Sequence, residues 1–172
     1  MKSRILLATS ILILASSAWA QAPPTDAQIA AIVVTANQVD IDAGKLAESK
    51  GSTPDVKSFG KRMVVDYSSV NKRATDLAKK LKLKPEQSAA SESLKKGGDE
   101  NMAKLKKLQG AEFDRAYVDH EVAYHQAVLD TLDKTLIPNA QNPELKALLV
   151  EVRPAFSSHL EHAKQLQSKM GA

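Results

Sequence analysis

Four long segments of this chain repeat their apolar residues at alternating spacings of three and four, and no stretch alternates apolar and polar residues as a half-buried strand would. Each segment therefore reads as a helix with one apolar stripe, and such a stripe is buried only against another packed element. Helix one carries Ile29, Val33, Ala36, Asp40, Ala43 and Ala47, and helix two carries Val56, Phe59, Met63, then Asp66 or Tyr67, followed by Val70, Ala74, Leu77 and Leu81. The third runs from near Ala111 to Leu136, with Phe113, Tyr117, Glu121, Tyr124 and Val128 on one line and Val118, Val122, His125, Leu129 and Leu132 on the next. The fourth has Leu145, Leu148, Val152, Phe156, His159, Ala163 and Leu166. The class expected is all-α.

Start and stop signals bound these helices. Thr25-Asp26-Ala27-Gln28 is a capping box, Thr53-Pro54 pairs an N-cap hydroxyl with a first-turn proline, and Asn142-Pro143-Glu144 does the same with an acid favoured by the helix dipole. Gly51, Lys84-Pro85 and Pro138 mark ends. Pro154 removes one backbone bond within helix four, which predicts a kink about one turn before His159. Residues 83–110 form a long polar connection containing Gly97-Gly98, with a short helix over Met102, Leu105 and Leu108 capped by Asp99. A connection of that length can run the height of a bundle, so the architecture expected is a ferritin-like four-helix bundle with a long crossover between helices two and three.

The two ends of the chain differ in kind. Lys2 and Arg4, an apolar run from Ile5 to Ala15, and Ala18-Trp19-Ala20 read as a secretory signal over residues 1–20, leaving residues 21–172 as one bundle domain. The chain is thus expected to be exported to the periplasm, either soluble or peripherally associated with the envelope, with no transmembrane segment after the signal. No cysteine occurs, which excludes disulfides, thiolate metal sites and thiol catalysis. Of 24 Lys and Arg against 20 Asp and Glu, setting aside Lys2 and Arg4 leaves 22 against 20, a balance that argues against nucleic-acid binding.

Against this apolar background each helix sets one polar group near mid-height. Asp40, Asp66, His125 and His159 lie about 12–16 residues from their helix starts, so a rise of ~1.5 Å per residue gathers them into one layer, with Glu121 one turn from His125. Buried charge without a partner costs about 3–5 kcal/mol, so these groups must meet one another, water or a metal. As a structural layer, buried histidines would make the core responsive to pH. As a ligand set, Asp40, Asp66, Glu121, His125 and His159 suit a divalent transition metal such as Fe, Zn or Mn. The dinuclear carboxylate pattern, Glu-x-x-His on two helices, is absent, because Glu121 and His125 are four apart. His120 is expected to face outward and His162 to sit at the edge of the stripe, while Tyr67, Tyr117 and Tyr124 read as core aromatics whose hydroxyls need partners.

Several of these residues also form an ordered pattern: Asp40-Ile41-x-x-Gly44-Lys45-Leu46-Ala47, Pro54-x-Val56-Lys57-x-Phe59-x-x-Arg62-Met63-Val64-x-Asp66, Gly110-x-x-Phe113-Asp114-x-x-Tyr117-Val118, His125, and Pro143-Glu144-Leu145-Lys146 with Pro154 and His159-Leu160. This pattern resembles the exported bacterial domain-of-unknown-function family numbered four-one-four-two, over nearly all of the chain after the signal. The resemblance implies a ferritin-like helical bundle and a periplasmic or outer-membrane location, with no settled activity. That family usually has Glu where this chain has Asp40, and Asp-His where it has Asp66-Tyr67.

The function expected is therefore that of a non-enzymatic periplasmic binding or envelope-stress-associated protein whose Asp/His layer is mainly structural or pH-responsive. The alternative is a metal-binding protein, a store or an oxidase-like bundle, using the same layer. A third reading is an interaction module working through the lysines of the crossover, Lys104, Lys106 and Lys107, with an envelope protein or a second copy of the chain as partner.

Overall fold

The computed structural model describes residues 22–171, and the signal expected over residues 1–20 lies outside them. Helix α1 spans Asp26–Lys50, α2 Pro54–Lys80, α3 Ala89–Lys107, α4 Gly110–Thr131 and α5 Pro143–Gly171. There is no strand among the described residues. Thr25 closes its capping box with Gln28, and Thr53 accepts from Val56 N–H ahead of Pro54. Two glycines bring α1 and α2 into direct backbone contact. A Cβ placed on Gly44 would lie 2.7 Å from the Gly60 carbonyl oxygen, and one on Gly60 would lie 2.7 Å from that of Gly44.

Polar ties at the two ends show the topology. At one end Asp26 accepts from the backbone N–H groups of Gln141 and Asn142, each at 2.9 Å, and Lys80 pairs with Glu144. At the other, buried Asp114 accepts from Ser52 and Thr53, through both backbone N–H groups and both hydroxyls, at 2.7–3.1 Å. Helices α1, α3 and α5 thus point one way and α2 and α4 the other. The four long helices run up, down, down, up, joined as two antiparallel hairpins by a crossover that traverses the bundle.

That crossover is more ordered than the glycine pair suggested. Helix α3 begins ten residues before Asp99, with Ser88 and Ser91 forming a capping box, and it runs through Gly97-Gly98. The reason is a close approach: a Cβ on Gly98 would sit 2.6 Å from Val39 Cγ2 of α1, so glycine permits packing here rather than breaking the helix. At the far end of α3, Lys50 donates to the Lys106 carbonyl at 2.6 Å. Its outer face pairs Lys95 with Asp99 and Lys96 with Glu100 in exposed one-turn contacts. Ser88→Ala is expected to cost about 1 kcal/mol, lowering Tm by about 2–4 °C in a thermal melt. An unchanged melting temperature would place the true start of α3 elsewhere.

Helix α4 does not stop before Pro138. It widens into a π-helical turn over Leu132–Leu136 and closes with Ile137–Asn139. Proline has no N–H to continue an α-type ladder, and the wider turn lets Ile137 N–H reach Leu132 C=O five residues back. The ladder bond removed by Pro154 does not end α5, which is helical on both sides of it. The core fills the space between the hairpins, from Ile29 and Val56 through Phe59, Met63, Phe113 and Val118 to Leu149 and Leu166.

Candidate metal centre

Mid-height in this core, α1 and α4 turn three polar side chains toward one another. Asp40 is buried on the stripe face of α1, and Glu121 and His125, one turn apart on α4, are fully shielded from solvent. Asp40, Glu121 and His125 each offer a donor atom within 4.8 Å of the other two. His125 Nδ1 lies 2.8 Å from the Glu121 carbonyl oxygen and 3.4 Å from its carboxylate Oε2.

The carboxylates in this cluster lack ordinary partners. Asp40 Oδ2 and both oxygens of Glu121 meet no hydrogen-bond donor among the described residues. Burial pushes both acids well above the usual carboxylate range, and Glu121 is raised further by the charge of Asp40 and the closeness of the two carboxyl groups. Burial pushes His125 down to about 4, against a smaller upward pull from its own helix carbonyl. These groups thus favour their neutral forms unless a positive charge joins them. Two carboxylates and an imidazole, dry and convergent, are chemically suited to supply oxygen and nitrogen ligands to a divalent ion.

Two other residues of the expected layer, Asp66 and His159, belong to an adjoining line rather than to this cluster. Tyr67, one position and about 100° further round α2 than Asp66, is the side chain that faces the bundle axis. Its hydroxyl lies 2.8 Å from His125 Nε2 and 3.0 Å from His159 Nδ1. His159 Nε2 in turn lies 2.8 Å from Asp66 Oδ2. Asp66 keeps 37% of its side chain exposed and also accepts from Arg62 Nε at 3.3 Å. Burial pulls His159 down, opposed by the hydrogen bond and charge of Asp66.

Of the remaining polar groups, His120 is half-buried, stacked on Tyr124 with ring centres 5.5 Å apart. His162 sits half-buried at the stripe edge, against Phe59 at 5.0 Å. Tyr124 donates to the Ala36 carbonyl at 3.0 Å, whereas the Tyr117 hydroxyl has no partner among the described residues. Asn37 went unnoticed in the pattern, although its spacing of three from Asp40 puts it on the same face. It is buried and donates to Asn71 Oδ1 at 2.9 Å. Asp114, noted only as part of a pattern, is the buried clamp on the α1–α2 turn.

Comparison with known proteins agrees on the fold. The family described as Domain of unknown function (DUF4142) matches residues 14–166. A solved structure described as CopM in the Cu(II)-bound form is similar, with a TM-score of 0.67 and 18% identity over 86% of this chain and 99% of that one. At that identity the likeness is one of fold. No curated protein matches the sequence. No helix among the described residues is long and apolar enough to cross a membrane.

Proposed function

We propose that this chain, which belongs to the DUF4142 family, is an exported, non-enzymatic helical-bundle protein that binds one divalent transition-metal ion through Asp40, Glu121 and His125. The observation that carries this reading is the set of three carboxylate oxygens, on Asp40 and Glu121, that are buried beside an imidazole and accept no hydrogen bond. Buried polar groups in native folds are nearly always partnered, so orphans gathered at one point call for a cation or a proton. Export is supported by the basic and apolar start of the chain. One imidazole with two carboxylates favours Zn, Fe, Mn or Cu(II) over a soft Cu(I), which prefers sulfur. The Cu(II) of the structural neighbour makes that ion the first to try.

A second reading keeps the same residues without an ion. The upward push on both acids favours a shared proton between them, giving a structural core that responds to pH. Titration of the untagged, chelator-treated chain with Cu(II), Zn(II) and Mn(II), followed by metal analysis after desalting, separates the two. The metal reading expects one retained ion per chain. A chain that retains none of the three supports the proton-sharing pair and removes the metal reading.

A further inference from the structure

An apolar cavity of about 110 Å³ lies between α1, α3, α4 and α5, and the metal reading makes no use of it. Its floor is Leu149, Val152 and Phe156 of α5, all buried. One wall is the π-helical turn, through Leu132 and Leu136, and widened turns of this kind recur beside binding sites. The mouth lies between half-buried Leu94 on the crossover helix and Ala127 and Thr131 of α4, both exposed. Alanine and threonine are small, so this seam is the open side.

One polar atom of the lining residues is left over. Asn37 is fully buried, and its Nδ2 donates to Asn71 Oδ1 at 2.9 Å. Its Oδ1 accepts no hydrogen bond among the described residues. The two hydroxyls of the lining are already engaged, Tyr124 with the Ala36 carbonyl at 3.0 Å and Thr131 with the Ala127 carbonyl at 2.8 Å. A buried amide oxygen without a donor is rare and costly in a native fold. Water answers it poorly here, since a buried water needs about two to four polar partners and apolar cavities take apolar guests instead.

We propose that this cavity binds a single-ring phenol, whose hydroxyl donates to Asn37 Oδ1 while the ring fills the space beside Phe156 and Tyr124. Size sets the ring count. An engineered cavity of about 150 Å³ takes benzene, so one of about 110 Å³ that opens at its mouth has room for one ring and not for a fused pair. Chemistry sets the substituent: one orphan acceptor calls for one donor. Two aromatic side chains in the lining favour a ring over an alkyl chain. Asp40, Glu121 and His125 do not line the cavity, so the inference stands apart from the metal reading.

Phenol and toluene, alike in shape and different in the donor, are the probes, added to the full metal-free chain with 13C-labelled methyl and carbonyl groups. Phenol should bind with a Kd at or below about 1 mM and show ring-to-methyl contacts to Leu136, Leu149 and Val152. The Asn37 side-chain carbonyl resonance should move downfield with phenol and not with toluene. In Asn37→Leu the ratio of phenol to toluene affinity should fall about fivefold or more, because the acceptor is gone while the volume is kept. Ala127→Phe, at the exposed mouth, should weaken phenol binding at least about tenfold by closing the entry. If Asn37→Leu does not fold, the carbonyl shift in the unmodified chain and the Ala127→Phe variant carry the test. No phenol bound at about 10 mM, or ring contacts to other methyl groups, would overturn the proposal. So would an unmoved Asn37 carbonyl, an unchanged affinity ratio in Asn37→Leu, or phenol affinity within about twofold of the unmodified chain in Ala127→Phe.

Discussion

Glu121→Gln is expected to weaken binding of a divalent ion at least about a hundredfold and, in the ion-free chain, to raise stability above pH 7. The two effects have opposite signs because one side chain supplies the ligand charge and also bears the strain of burial. Glutamine keeps the shape but brings no charge, so the ion loses a carboxylate while the core loses an acid that it solvates poorly.

The pH profile gives the sharper readout. Asp40 and Glu121 are both pushed up, so each contributes stability that is fully present below its unfolded pKa, about 4, and lost as pH rises through its folded value. His125, pushed down to about 4, and His159, also pushed down, contribute stability present above the unfolded histidine value and lost as pH falls. Between about pH 4.5 and 6.5 these terms offset one another. Above that window only the acids act, and ion-free stability should fall by up to about 1.4 kcal/mol per pH unit for each acid still protonated in the fold. Urea unfolding at pH 6, 7, 8 and 9 should show that decline roughly halved in Glu121→Gln. An unaltered slope, or an ion affinity like that of the unmodified chain, would remove Glu121 from the site.

Gly60→Leu should separate α1 from α2 and leave no cooperative thermal transition, and Gly60→Ala should already cost about 2–3 kcal/mol, or about 5–10 °C in Tm. A Cβ at Gly60 would meet the Gly44 carbonyl oxygen at 2.7 Å, Ala47 Cβ at 2.8 Å and Glu48 N at 2.9 Å. Two of these are backbone atoms that no side-chain rotation can move. Gly97→Ala is the matched control: nothing lies within 4 Å of its added carbon, so the exchange should gain about 0.5–1 kcal/mol from helix propensity alone. Equal melting temperatures for the two alanine variants would mean that the α1–α2 contact is looser than these distances.

What could be read before the fold was known divides along physical lines. Caps act over three or four residues, so Thr25, Thr53-Pro54 and Asn142-Pro143 located the starts of α1, α2 and α5 without tertiary information. The start of α3 was misplaced because Gly97-Gly98 weakens a helix locally, and only the approach of Val39 shows why glycine is there. Height along each helix was equally legible, since rise per residue is nearly constant, and His125 and His159 do come to one level, bridged by the Tyr67 hydroxyl. Direction around the helix was not. Asp66 and Tyr67 both fit the stripe of α2, and choosing between them depends on where α4 and α5 dock. The exchange of roles between these neighbours, phenol inward and carboxylate at the rim, therefore separates Asp66 and His159 from the cluster of Asp40, Glu121 and His125.

The division of the bundle into two hairpins bears on how a bound ion would relate to folding. Asp40 belongs to the first hairpin, and Glu121 and His125 belong to the second. Neither hairpin alone owns a complete donor set, so affinity would be a property of their docking rather than of either half. An ion at a hundred times its Kd would hold the docked pair together by about 2.7 kcal/mol, acting as a removable cross-link in a chain that has no cysteine to make a permanent one.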